Sequence, residues 1–265
     1  MGDGIYGGPP PTRDPGSKLD VFEIKKKLVE ASRILFMERI TEDFAGHISA
    51  RIDGNEALIS RYTHFEGRGM GEVQMGDILR IDLNRRILEG DGELMNETVI
   101  HTSVYRARPD VGSVAHLHPP KCVAVSAAGK EVLPILIRGV SFGGPIRVLD
   151  LGANLVKTEA QGALVAQKLG DQSALLLRGH GCVVAGATVE ECVENAINLE
   201  RMAEAQIYAS MLGSPASFPP EDLQRREIGG KRAKYALWNF YRNKLLRDPL
   251  LSPYSQGKHP SDSPP

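Results

Sequence analysis

The sequence is short of cysteine. Cys122, Cys182 and Cys192 are its only three in 265 residues, and none lies in a CxxC spacing. They cannot all pair, so they read as reduced thiols of a cytoplasmic protein. Long apolar runs are missing too. No stretch approaches the roughly 18 residues of a membrane span, and the first residues lack a basic-then-apolar leader pattern and the Ser/Thr that follows a myristoylated glycine. Charge of one sign is equally scarce: 32 Lys and Arg face 33 Asp and Glu, and the longest like-charge run is Lys25-Lys26-Lys27. That balance excludes the electrostatic footprint of a nucleic-acid or membrane-surface protein. Glycine-rich phosphate loops of the nucleotide-binding kinds are absent as well. Gly67-Arg68-Gly69-Met70-Gly71 is not followed by a helical pattern and reads as a mobile loop.

The composition leaves one globular domain. A chain of this length buries most of its unfolded surface and needs neither disulfide nor structural metal to fold, so any metal has to be catalytic. Residues 1–17 and 252–265 are rich in Gly, Pro and Ser and read as disordered tails around a domain at 18–251. Ile24, Leu28, Ala31 and Leu35 recur at helical spacing and predict a helix over 18–39. His47, Ser49 and Arg51 then alternate with Ile48, Ala50 and Ile52, the period of a half-buried strand with one polar face. A turn at Gly54-Asn55 leads to a second strand at 57–60. Another hairpin is expected over 78–83 and 86–88, turning at Asn84-Arg85. Asn96 is the expected N-cap of a helix over 97–106. A strand at 111–118, a helix over 154–169, a strand at 173–178 and a long helix over 189–211 follow. Hairpins combined with later helix-linked strands indicate a layered α/β or α+β sheet.

The chemistry concentrates in three places. In Val114-Ala115-His116-Leu117-His118, the two histidines share one strand face and aim at one spot, the geometry a divalent cation needs from two ligands. The alternative is a pair of histidines on a polar sheet face. Arg178-Gly179-His180-Gly181 puts a third imidazole at the mouth of a buried strand, where flanking glycines let the backbone turn. Glu97 opens a helix just before the HxH strand. A helix N-terminus favours a carboxylate there in any case. His101 shares its helix face, either as a fourth ligand or as a support behind the ligands.

Glu97-x3-His101-x3-Tyr105-x2-Arg108-Pro109-Asp110, then Val114-x-His116-x-His118, then Gly179-His180-Gly181 resembles the class II aldolase/adducin family over residues 20 to 245. The resemblance implies a single αβα-layered α/β domain with a central, mainly antiparallel sheet. It implies that His116, His118 and His180 hold a divalent metal and that Glu97 is the acid/base. It also implies a homo-oligomer, a tetramer above all, with active sites at subunit contacts.

The family's sugar-phosphate enzymes bind phosphate through three motifs of small residues. This chain departs at each, with Gly46-His47-Ile48-Ser49, Ile59-Ser60-Arg61-Tyr62 and Met95-Asn96-Glu97. A phosphorylated sugar is therefore not the expected substrate. The replacements resemble the decarboxylase branch, which acts on hydroxylated aromatic or pyridine dicarboxylates such as a dihydroxyphthalate. His47, Ser49, Ser60 and Arg61 are the expected substrate contacts, with Arg61 gripping a carboxylate. Tyr241 or Trp238, in an aromatic C-terminal segment, could wall the ring in a neighbouring subunit. Glu97 would need a raised pKa to protonate a ring carbon. Zinc, manganese and iron all suit the imidazoles. The remaining alternatives are an aldolase or dehydratase on a non-phosphorylated hydroxy- or keto-acid, iron-dependent oxygen chemistry, and a non-catalytic adducin-like binding module.

Overall fold

The computed structural model describes residues 20–41, 44–224 and 235–254. The chain opens with α1 (Val21–Met37), whose free N–H groups are met by the Asp20 carboxylate, 3.0 Å from the Phe22 nitrogen. Strands β1 (His47–Arg51), β2 (Glu56–Ser60), β3 (Ile78–Asp82) and β4 (Ile87–Glu89) follow as antiparallel neighbours. Then come α2 (Thr98–Ala107), β5 (Ser113–Leu117), α3 (Pro120–Ala127), β6 (Val148–Leu149), α4 (Glu159–Leu169), β7 (Ala174–Leu177) and β8 (Gly181–Gly186). The long α5 (Val189–Leu212), a short α6 (Pro220–Leu223) and α7 (Ala236–Arg247) complete the described chain. None of the described helices is long and apolar enough to cross a membrane.

The eight strands form one sheet in the order β4-β3-β2-β1-β5-β8-β7-β6, antiparallel except for the β6–β7 pair. Alternation divides its side chains between two cores. Ile48, Ala50, Leu58, Ala115, Leu117 and Leu176 pack against α1 and α5. Ala57, Ile59, Val114, Leu175, Leu177 and Val183 pack against α2 and α4. The result is the expected α/β layering, with helices on both faces of a mainly antiparallel sheet. Helices α2 and α4 approach closely because α4 carries Gly162 at the contact. A Cβ there would lie 2.4 Å from the Ser103 oxygen and 3.1 Å from the Val99 carbonyl.

Several expectations shift. Asn96 is not the cap of α2; Glu97 occupies the N-cap position and its carboxylate is turned elsewhere. The fourth helix starts at Glu159 rather than 154, because Thr158 and Gln161 form a reciprocal capping box. The glycine-rich loop is tied down: Met70 is buried, a Cβ on Gly71 would strike the Phe36 ring, and Arg68 reaches Asp77 at 2.7 Å. The expected tail at 1–17 and the end of the other, 255–265, lie outside the described residues. Residues 252–254 belong to the body, where the Tyr254 hydroxyl donates to Glu30 at 2.8 Å.

Candidate active site

One end of the sheet gathers the candidate side chains. Register places His47 of β1 opposite His116 of β5. His118 follows β5, and β8 runs directly beside it from Gly181, so His180 enters from the β7–β8 turn. That turn is closed by the His180 N–H on the Leu177 carbonyl at 3.0 Å, with Gly179 in the left-handed region at φ +62. Gly181 is required for a different reason. A Cβ on it would sit 2.3 Å from the Leu117 carbonyl oxygen and 2.6 Å from the His118 ring.

Glu97, His116, His118 and His180 each aim one donor atom at a common point, all within 4.8 Å of one another. The Nε2 atoms of His116 and His118 are 3.3 Å apart. Glu97 Oε2 lies 3.3 Å from His116 Nε2, and Oε1 lies 3.7 Å from His180 Nε2. These residues fit a cation. His116 donates its Nδ1–H to the Cys182 carbonyl at 3.0 Å, which turns the Nε2 lone pair into the cluster. His180 Nε2 is buried with no hydrogen-bond partner. Electron pairs converging on one point, one of them on an orphaned buried nitrogen, are what a divalent ion reconciles.

The Glu97 carboxylate is nearly buried, and burial alone would raise its pKa. Contacts to His116 and His180 and the Val156 N–H, 3.0 Å from Oε1, win, holding it far below the usual carboxylate range. With that shift the carboxylate is ionised near neutral pH, the opposite of what direct proton delivery to a ring carbon would need.

His101 lies outside the donor cluster. Its Nε2 meets His47 Nδ1 at 2.6 Å and its Nδ1 meets the Ser49 hydroxyl at 2.7 Å, which in turn contacts the Tyr105 hydroxyl at 2.7 Å. Burial is the main cause that pushes His101 down to about 3, and it drives His47 well below its ordinary value. Both imidazoles are thus neutral, held in a buried polar chain that backs onto His116, whose ring centroid is 5.4 Å from that of His47.

The remaining expected contacts are distributed unevenly. Ser49 is fully buried inside that chain, and Ser60 is buried at the end of β2. Arg61 follows β2 two strands from His116, roughly 10 Å across the sheet. Its guanidinium is engaged by Asp77 at 3.0 Å and by both oxygens of Glu66. Tyr241 is not brought to this site within the chain. It packs with the α1 and α5 core, beside Arg201. The Cys182 carbonyl and the Val156 N–H, which orient His116 and Glu97, are main-chain groups that no side-chain pattern marks.

The family model described as the Class II Aldolase and Adducin N-terminal domain matches residues 26–207. A 3,4-dihydroxyphthalate decarboxylase of Arthrobacter keyseri is 31% identical over 235 residues, covering 84% of this chain and 93% of that protein. A methylthioribulose-1-phosphate dehydratase of Marinobacter nauticus is 25% identical, covering 69% of this chain and 91% of that one. Among solved structures, an aldolase II superfamily protein from Pseudomonas syringae superimposes with a TM-score of 0.75 at 26% identity, over 89% of this chain and 97% of that one. The chain belongs to the class II aldolase and adducin family.

Proposed function

We propose that the protein is a divalent-metal-dependent carboxy-lyase acting on a hydroxylated aromatic or pyridine dicarboxylate, such as a dihydroxyphthalate. The observation that carries this reading is the convergence of three imidazoles and Glu97 on one point, with the His180 nitrogen otherwise orphaned. The likeness to a dihydroxyphthalate decarboxylase supports the choice of reaction. Side chains as large as His47 and Arg61, where the family's phosphate-binding enzymes carry small ones, support an unphosphorylated substrate.

His116, His118 and His180 would hold zinc, manganese or iron, which supplies a Lewis acid for a phenolic oxygen and its ortho carboxylate. Glu97, ionised at rest, acts first as base and takes the phenolic proton. It then returns that proton to the ring carbon as the bond to the departing carboxylate breaks and carbon dioxide leaves. The phenolate oxygen regains a proton from water, the one proton that the whole reaction consumes. The Val156 N–H holds Glu97 in place throughout, and the Cys182 carbonyl holds His116. His47, Ser60 and Arg61 would bind the second carboxylate, which on Arg61 takes the place now filled by Glu66.

The test is a panel of hydroxylated aromatic dicarboxylates and unphosphorylated hydroxy-acids, with products followed by NMR. One substrate should lose a single carboxyl group with the wild type. Glu97→Gln should slow that turnover by about 10²–10⁴-fold, the usual contribution of a general acid/base, while the melting temperature stays within a few degrees. Cleavage to an aldehyde and a keto or enol fragment would instead establish an aldolase, the second reading. A chain that binds no divalent metal and turns nothing over would be an adducin-like binding module.

A further inference from the structure

Helix α3 begins directly after His118 and ends against the turn that carries His180, and its two ends are fixed in unusual ways. Pro119 stands at the N-cap and Pro120 at the first helical position, so neither offers a capping side chain or an N–H. The first free donors are the amides of Lys121 and Cys122. Both are met by one carboxylate from another helix: Glu200 of α5 accepts from Lys121 N–H and Cys122 N–H, each at 3.0 Å. Glu200 is 5% exposed. It thus supplies from outside the cap that an Asp or Ser would supply from within, and its charge faces the positive end of the helix. At the other end, the Ser126 hydroxyl donates to the Val123 carbonyl at 2.9 Å and accepts the Gly179 N–H at 3.1 Å. Gly179 is the left-handed residue immediately before His180.

We infer that α3 is a strut that sets the spacing of the metal ligands, with Glu200 and Ser126 as its positioning residues. Glu200 fixes the chain as it leaves His118, and Ser126 fixes the turn that aims His180. The distance from Lys121 to Ser126 is then that of five helical residues, about 7.5 Å. Neither side chain meets the cation; each acts through a ligand. The inference rests on the metal reading above. Groups that orient metal ligands typically change metal affinity about 10- to 100-fold when removed.

The test is a titration of metal-free protein with Co²⁺, read by its visible absorption bands, which report both affinity and coordination geometry. The wild type, Ser126→Ala, Ser126→Thr and Glu200→Gln are compared, with the metal-free melting temperature measured alongside. Ser126→Ala and Glu200→Gln should bind Co²⁺ about 10-fold or more weakly, with altered band intensities. The metal-free melting temperature of Ser126→Ala should stay within a few degrees of wild type, and Ser126→Thr, which keeps the hydroxyl, should restore the wild-type spectrum. Wild-type affinity and spectrum in Ser126→Ala would overturn the strut while leaving the metal site standing. So would a loss that tracks the melting temperature and that threonine does not rescue. A wild type that binds no Co²⁺ would overturn the metal reading itself, and the strut with it.

Discussion

Strands β1 and β5 turn two contrasting faces to the two helical layers. Toward α1 and α5 they present Ile48, Ala50, Ala115 and Leu117, all inside one apolar core. Toward α2 they present His47, Ser49 and His116, joined to His101 and Tyr105 in a buried polar chain. Both faces are equally hidden from water, so burial alone does not separate them. What separates them is satisfaction: the polar face is buried at little cost because its hydrogen bonds close on one another, except at the His180 nitrogen beside it. The same five-residue strand can therefore supply stability on one side and chemistry on the other.

Substitutions on either face should separate stability from chemistry. The largest expected stability change comes from the apolar face. Ile48→Ala should lower unfolding stability in urea by about 2–5 kcal/mol, while leaving turnover per folded molecule near wild type. Equal losses of activity and stability would show that the faces are not separable. On the polar face, Ser49→Ala removes the hydroxyl that meets both His101 Nδ1 and the Tyr105 hydroxyl in the core. The expected loss is about 1–3 kcal/mol, with altered turnover because His47 is no longer braced behind His116.

The same chain predicts a smaller, pH-dependent effect. His101 stays neutral in the folded protein down to about 3, against 6.5 for an ordinary histidine, with burial the main cause. His47 shifts the same way for the same main reason. Between those values the unfolded chain binds more protons than the folded one, so stability falls as pH drops from about 6.5 toward 3. Urea midpoints measured across that window should decline, and His101→Gln should flatten the decline. An unchanged slope in that variant would mean that other groups set it.

How much of this was legible depended on where each signal lies along the chain. Alternation at His47–Arg51 and at Val114–His118 is local, and it showed both the strands and the shared face of the histidines. Strand β8 was not anticipated because Cys182-Val183-Val184-Ala185 is apolar on both faces and carries no period. Helix α3 was not anticipated either, because it starts at Pro119-Pro120 with no capping side chain of its own. Glu200 and the partners of Arg61 are long-range or surface pairings that no spacing encodes. The direction of the Glu97 shift likewise depended on contacts with His116 and His180, 19 and 83 positions further along the sequence.

His116, His118, His180 and Glu97 converge on one point, and the proposed function requires that they hold a divalent cation there. Metal content per chain, measured by plasma mass spectrometry on protein purified without added metal, tests it most directly, with His180→Ala prepared in parallel. Close to one divalent ion per wild-type chain is expected, with a steep loss in the variant. A wild type free of divalent metal, or a variant that retains its full complement, would contradict it.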